Sequence, residues 1–337
     1  MFEVEGGSYT DYRIPAMVVS PAGEIFVAYE CRTDSSDWAK IDLRVLKSTD
    51  GGDHFNQILL LSGDGHTLNN PVLIAKDDTV HFLYCRDYAR VFHLQSDDGG
   101  AHWREAHELT ALFADLDHTV VATGPGHGAI TPDGVMVVPV WFAHNPDDPK
   151  AHKPSFLTTI YSADGGDTWK RGEVLQHDDL IDANETAIGL TTDGSVLLSI
   201  RNRLLEGHLR YWAKSPNGYG AWQYLGRDER FIDPRCMGSL CNGGGRLFFS
   251  NCESAEDRIN LTVKVSADDF KTFTRIPVSA SAGYSEVAYR DGTLYVLYET
   301  SDRCGEERKN HRLHWKKIPM GSPSISAVDK KRRETCV

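Results

Sequence analysis

Residues 162–169 read SADGGDTW. A serine and an aspartate two positions apart, followed by glycines and a tryptophan, are the parts of a tight turn with a plug beneath it. The Ser and Asp side chains bond to backbone groups of their own loop, Gly supplies the positive φ, and the ring fills the space below. The pattern S-x-D-x-G-x-x-W/F recurs intact at Ser48-Asp50-Gly52-Phe55 and Ser96-Asp98-Gly100-Trp103, and in weaker form at Ser215-Asn217-Trp222 and Ser266-Asp268-Phe273. The five copies begin 48, 66, 53 and 51 residues apart. That period suits one four-stranded propeller blade per repeat.

The segments between the turns agree. AGEIFVAYE, TVHFLYCR, GVMVVPVWFA, GSVLLSIRN, GRLFFSN and GTLYVLYE each follow a turn residue and are rich in β-branched and aromatic residues. One such strand per repeat makes six blades. The expectation is an all-β chain forming one domain over residues 1–337, a six-bladed β-propeller of four-stranded antiparallel blades. Residues 104–113 offer the one short helical stretch. The strand HRLHWKKI (311–318) is expected to close the ring by pairing near the N-terminus, which removes an exposed edge. The basic end, from about residue 322 to DKKRRETCV, reads as a flexible, solvated tail.

Composition narrows the function. The chain has 337 residues, 40% of them apolar and 25% charged, in the range of globular proteins. No run of about 18 apolar residues is present to cross a membrane as a helix. The formal charge of −12 disfavours nucleic acid and anionic membranes as partners, although a local arginine cluster can outweigh the global field for a small anion. Seven widely spaced cysteines, several in strand-like runs, read as buried free thiols and not as a disulfide framework. No C-x-x-C is present, and His66, His118 and His144 lack ligand spacing, so no metal and no cofactor is assigned. The N-terminus MFEVEGGSYT lacks a charged-then-apolar leader, which places the chain as it stands in the cytoplasm, or in a secreted or periplasmic setting after leader removal.

A propeller scatters its functional residues, because loops and strand ends from several blades meet over the central channel. Several short stretches fit this: Y-R-I-P (12–15), E-C-R-T-D-S-S-D (30–37), G-P-G-H-G (124–128), N-E-T-A (184–187), R-N-R (201–203), D-P-R-C-M-G-S-L (233–240), R-I-N-L-T-V (258–263), A-G-Y-S (282–285) and L-Y-E (297–299). In this order, and covering nearly the whole chain, they resemble the exo-α-sialidase (neuraminidase) family. The repeated turn resembles that family's Asp-box, or BNR repeat, which argues fold and not activity.

The resemblance implies roles residue by residue. Arg13, Arg201 and Arg258 resemble the family's three-arginine cluster for the substrate carboxylate. Guanidinium suits the task because it is always charged and grips carboxylate in bidentate fashion. Arg203, two residues from Arg201, competes for the second place. Glu299 resembles the carboxylate that orients the first arginine. Tyr284 resembles the catalytic tyrosine, and Glu185 the glutamate that hydrogen-bonds it. A neutral phenol avoids the repulsion that an anionic nucleophile would meet at a carboxylate-bearing anomeric carbon, provided a base takes its proton. Asp37, five residues after Arg32 as in the family, is the choice for general acid/base, with Asp34 and Asp42 as rivals. To protonate a leaving oxygen its pKa must be raised. Arg32 is expected to line the pocket.

One position departs from the family. In L-N-N-P (68–71) the residue before proline is Asn70, where many sialidases carry an aspartate that contacts the sugar. The amide still donates and accepts, but the charge is gone. Arg86-Asp87 and His127 could reshape the same pocket. The leading reading is therefore a retaining exo-glycosidase acting on a terminal α-linked sialic acid of a glycoconjugate. A related ulosonic acid (Kdn or Kdo) as substrate, and transfer to another sugar, stand as alternatives. A non-catalytic carbohydrate-binding propeller is the competing class; it would need the arginines but not Tyr284, Glu185 and Asp37.

Overall fold

The computed structural model describes residues 2–3, 8–201, 208–304 and 307–321, with backbone alone at 303, 304, 307 and 308. Blade 1 consists of β1 (Asp11–Val19), β2 (Ile25–Arg32), β3 (Ile41–Ser48) and β4 (Asn56–Leu61), and blade 2 of β5 (Leu68–Lys76), β6 (Thr79–Arg86), β7 (Arg90–Ser96) and β8 (His107–Glu108). Three short pieces follow, β9 (Val120–Thr123), β10 (Gly126–His127) and β11 (Ala129–Ile130). β9 and β11 join β12 (Met136–Ala143), β13 (Ser155–Ser162) and β14 (Lys170–Arg171) in blade 3, whereas β10 pairs parallel with β5. Blade 4 is β15 (Thr186–Leu190), β16 (Val196–Ile200), β17 (Leu209–Ser215) and β18 (Gln223–Ile232). Blade 5 is β19 (Ser239–Gly243), β20 (Arg246–Cys252), β21 (Ile259–Ser266) and β22 (Thr274–Ser281). Blade 6 is β23 (Ser285–Arg290), β24 (Thr293–Cys304) and β25 (Glu307–Pro319).

The six apolar runs seen in the sequence are the second strands, and β2 and β12 are buried along their whole length. A strand covered by a blade on each face needs apolar residues on both, so it reads as a continuous run and not as alternation. The core is accordingly divided into six clusters, each shared by two neighbouring blades. Phe26 and Phe82 meet between blades 1 and 2, and Leu83 and Val140 between blades 2 and 3. Around the ring come Val137 with Leu198, Trp212 with Phe249, and Val263 with Val287. Val27 and Leu46 of blade 1 pack with Leu297 and Leu313 of blade 6, which closes the circle.

The repeated turns form as their chemistry dictates. In SADGGDTW, Ser162 Oγ donates to Asp164 (2.9 Å) and accepts the Gly166 N–H (2.9 Å), while Asp164 accepts the Thr168 N–H (2.9 Å). Gly166 sits at φ 96°, and a Cβ there would come 2.7 Å from the His81 ring of the preceding blade. The turn is thus also an inter-blade contact. The weaker fifth copy places Phe270 at the glycine position, at φ 62°, and its ring packs on Trp212 and Phe231 instead.

Three expectations need correction. Blades 1, 4 and 5 have four strands, but blades 2 and 3 have five and blade 6 three. Among the described residues β25 pairs only with β24, and the N-terminal segment reaches it through side chains: Asp11 Oδ1 accepts the His311 N–H (3.0 Å), and Arg312 donates to the Thr10 carbonyl (2.7 Å). The helical stretch at 104–113 is β8 followed by a 3-10 turn (Thr110–Phe113), because Val91 uses Leu109 and Thr110 as edge partners. The tail from residue 322 lies outside the described residues. The five described cysteine side chains, Cys31, Cys85, Cys236, Cys241 and Cys252, are free and buried.

Candidate active site

Antiparallel blades bring specific strand ends to one face. Inner strands start there, second strands finish there and third strands start there. Arg13, Asn70, Glu185 and Tyr284 stand at or just before the starts of the inner strands, Glu30, Arg32 and Arg201 at or near the finish of second strands, Glu299 midway along the long β24, and Arg258 just before a third strand. Residues 271 positions apart in the chain, from Arg13 to Tyr284, therefore share one mouth of the channel.

Tyr284 is the centre of the group. Its hydroxyl donates to Glu185 Oε1 at 2.6 Å and accepts from Arg201 Nη1 at 2.9 Å, and Arg201 also bonds Glu185 Oε2. The guanidinium carbons of Arg258, Arg13 and Arg201 lie 5.0, 5.2 and 5.8 Å from the Tyr284 ring centroid. Burial drives the Tyr284 pKa above the phenol range against Arg201, with the Glu185 carboxylate adding to burial. The phenol is therefore neutral, with a carboxylate in place to take its proton.

The first arginine is set by a bulge. The β1–β2 register shifts between Arg13 and Ala16, and Ile14 adopts φ 55° ahead of Pro15. A β-branched residue at positive φ is strained. Its amide donates to Glu299 Oε1 at 2.7 Å, and the second Glu299 oxygen accepts the Tyr284 N–H at 3.3 Å. Glu299, fully buried, also lies 3.5 Å from Arg13 Nε. Burial pushes its pKa up, but Arg13 prevails and the net shift is downward. The Nε–H groups of Arg13 and Arg201 are buried without a hydrogen bond, and Arg258 has no ion-pair partner among the described residues. A cluster with donors to spare is ready for an anion.

Asp37 adjoins the cluster at Arg13. Its Oδ1 accepts from Arg32 Nη1 at 2.8 Å and stands 3.7 Å from Arg13 Nη1. Asp34 caps the Ser36 amide (2.7 Å), and Asp42 bonds Tyr9 and the Gly63 amide (2.7 Å), so both rivals are spent on the loops. The expectation of a raised pKa is reversed for Asp37. Burial raises it, but Arg32 and Arg13 outweigh burial and hold the carboxyl well below the usual range. Asn70 faces inward: its amide nitrogen Nδ2 donates to the Thr123 carbonyl at 3.0 Å, and its backbone N–H donates to Glu30 Oε1 at 2.9 Å.

Other candidates separate from this group. His127 pairs with Glu286 in the central channel, where Ser239 also donates to Glu286 at 2.7 Å. Asp87 is occupied by His66 (2.7 Å) and the Thr67 amide (3.0 Å). Arg203 lies outside the described residues.

The sequence reading missed two features. Glu30, which opens the quoted stretch E-C-R-T-D-S-S-D, reads from sequence as one more residue of the AGEIFVAYE strand. An aromatic wall flanks Asp37: Tyr88 lies 5.0 Å from Trp38, 4.6 Å from His152 and 6.1 Å from Trp141. Burial holds the Tyr88 hydroxyl neutral, helped by the Asp37 and Glu30 carboxylates. A tryptophan directly after Asp37 was the available signal.

A BNR repeat-like domain matches residues 56–296. The chain belongs to this family. Among curated relatives, a sialidase of Bacteroides fragilis is 23% identical over 338 residues, covering 86% of this chain and 60% of the relative. Among solved structures, a Hadza microbial sialidase superposes with a TM-score of 0.77 at 20% identity, covering 92% of this chain and 66% of that one. A Trypanosoma rangeli sialidase in complex with 2,3-difluoro-KDN gives 0.72 at 19% identity, covering 89% and 52%. This BNR-repeat propeller thus spans roughly half to two thirds of these relatives, and the structural likeness speaks for the fold.

Proposed function

We propose that the chain is a retaining exo-glycosidase that removes a terminal α-linked sialic acid from a glycoconjugate. The observation that carries this reading is the Tyr284–Glu185 hydrogen bond of 2.6 Å beneath three arginines. A carbohydrate-binding module needs the arginines but has no use for a buried phenol paired with a base. The sialidase relatives support the same class of substrate.

In the proposed course, Arg13, Arg201 and Arg258 hold the sugar carboxylate over the Tyr284 ring. The Tyr284 oxygen bonds to the anomeric carbon as its proton passes to Glu185. The anomeric C–O bond to the aglycone breaks, and Asp37 gives its proton to the departing oxygen. Asp37, now ionised, takes a proton from water as that water's oxygen bonds to the anomeric carbon. The tyrosyl oxygen leaves and recovers its proton from Glu185. The low Asp37 pKa of the free protein fits this sequence only if substrate changes its surroundings. A bound carboxylate on Arg13 offsets one of the two charges that keep Asp37 ionised, and raises its pKa.

Asn70 favours a second reading of the sugar. One Nδ2 N–H is engaged by Thr123, so the side chain offers its second N–H and its neutral Oδ1, a donor and an acceptor for sugar hydroxyls with no charge. That suits Kdn, whose difluoro analogue the Trypanosoma rangeli sialidase binds. The test is incubation with fluorogenic α-ketosides of sialic acid, Kdn and Kdo, and with a 2,3-difluoro analogue followed by intact-mass analysis. Turnover and a covalent adduct mapped to Tyr284 are expected. Tight sugar binding without turnover or adduct would leave a binding propeller.

A further inference from the structure

We propose that Glu30 is a positioning residue for Asp37, acting through Arg32 to govern how readily Asp37 hands its proton to a leaving oxygen. This rests on Asp37 being the acid of the proposed reaction. Glu30 is wholly buried at the end of β2 and touches neither Tyr284 nor the arginine cluster around it by any hydrogen bond or ion pair among the described residues. Its two oxygens have separate duties. Oε1 accepts the Asn70 backbone N–H at 2.9 Å, and Oε2 accepts Arg32 Nε at 2.7 Å and faces Nη2 at 2.5 Å. Arg32, also wholly buried, is thereby held by one edge of its fork. The other end, Nη1, reaches Asp37 Oδ1 at 2.8 Å and the carbonyls of Ser36 and Ser35 at 3.3 and 3.4 Å. A continuous line runs from the amide of Asn70 through Glu30 and Arg32 to Asp37.

Two consequences follow from that line. The clamp aims Nη1, because a fork gripped along one edge cannot turn about its stem. The Glu30 charge also offsets the Arg32 charge, which would otherwise fall wholly on Asp37. The groups around Asp37 are Arg32 and Arg13, which favour its ionised form, His152, which acts in the same sense, and the neutral Tyr88. Glu30 is the carboxylate placed against the strongest of these. Without it, Arg32 binds the Asp37 carboxylate harder and the proton becomes scarcer at the moment the C–O bond breaks.

Glu30→Gln tests this. A glutamine carbonyl can serve the Asn70 amide or Arg32, but its NH2 meets a donor at the other. Two substrates with one sugar separate the effects: an aryl ketoside, whose phenolic leaving group needs no proton, and an alkyl-linked sialoside, which does. E30Q is expected to lose about tenfold or more in kcat/KM on the alkyl substrate relative to the aryl one, and the alkaline limb of its kcat profile moves to lower pH. Equal losses on both substrates with an unmoved limb overturn the proposal. If E30Q does not fold by thermal melting, Glu30→Asp takes its place; the shorter carboxylate cannot reach both the Asn70 amide and Arg32, so the same contrast is expected. If the wild-type protein turns over neither substrate, the hydrolase reading falls. Glu30 is then judged by 15N NMR of the Arg32 Nε–H, protected in the wild type and exchanging freely in E30Q; unchanged protection refutes the clamp.

Discussion

Glu299 and Glu30 are the same strut used twice. Each is fully buried in a second strand, and each gives one oxygen to the backbone N–H of a positive-φ residue before a proline in the next blade: Ile14 at φ 55° and Asn70 at φ 55°. They differ in what the second oxygen holds. Glu299 takes the amide of Tyr284, and the nearby arginine comes from the neighbouring blade. Glu30 takes the side chain of Arg32 in its own strand. In the proposed reaction, one strut positions the nucleophile Tyr284 and a carboxylate-binding arm, and the other positions the arm that holds the acid Asp37. The backbone strain differs too. Asn tolerates the left-handed region, whereas a β-branched Ile does so at a cost of roughly 1–3 kcal/mol, so the Glu299 side depends more heavily on its hydrogen bond. The electrostatics also part: burial leads the Tyr284 phenol upward, and the arginines lead the Asp37 carboxyl downward.

The strongest challenge to this division is Tyr284→Phe, expected to cost more than about 10³-fold in kcat on aryl and alkyl ketosides alike, since no bond to the sugar can form. Comparable rates in wild type and variant would dismiss the nucleophile. Glu299→Ala strands the Ile14 and Tyr284 amides and a buried Arg13, and should lower stability by about 3 kcal/mol in urea unfolding. Asp37→Asn should cost on the order of 10²-fold on alkyl-linked substrates and far less on aryl ones, separating the acid half from the nucleophile half.

The pH profiles sharpen the same contrast. The free protein's Asp37 is held low by Arg32 and Arg13 against burial. A substrate carboxylate on Arg13 removes part of that hold, so the pKa rises on binding. In the proposed reaction Asp37 must be protonated, so activity is expected to fall as pH climbs through this pKa. Since kcat/KM reports the free protein and kcat the complex, the alkaline limb of kcat should lie about one unit higher. Coincident limbs would show that Arg13 does not take the carboxylate. The smallest effect belongs far from the site: Ser162→Ala removes two hydrogen bonds of one turn and should cost about 1 kcal/mol with kinetics unchanged.

What was legible in the chain depended on the range of the interaction. The turns could be read because every partner lies within about four residues: Ser48 with Asp50 and Gly52, Ser96 with Asp98 and Gly100. The second strands could be read because burial on both faces forces an apolar run. The stretch at 104–113 misled because its helical spacing is overridden by β7, with Arg90 held to Glu108 and Val91 to Leu109 and Thr110. The site residues were nameable through their resemblance to the sialidase motifs, yet Glu30 was not, because nothing in E-C-R tells a strand glutamate facing solvent from one sealed beneath Arg32.

By itself the sequence determined the number of blades, the form of their turns and the supply of arginines, since these follow from local chemistry and from a period. The tertiary structure decided which carboxylate meets which guanidinium, and hence the protonation of Tyr284 and Asp37. A charge shifts a pKa by its distance and its burial, and both are set by contacts between blades, such as Ile14 on Glu299 across 285 residues, that no local stretch encodes.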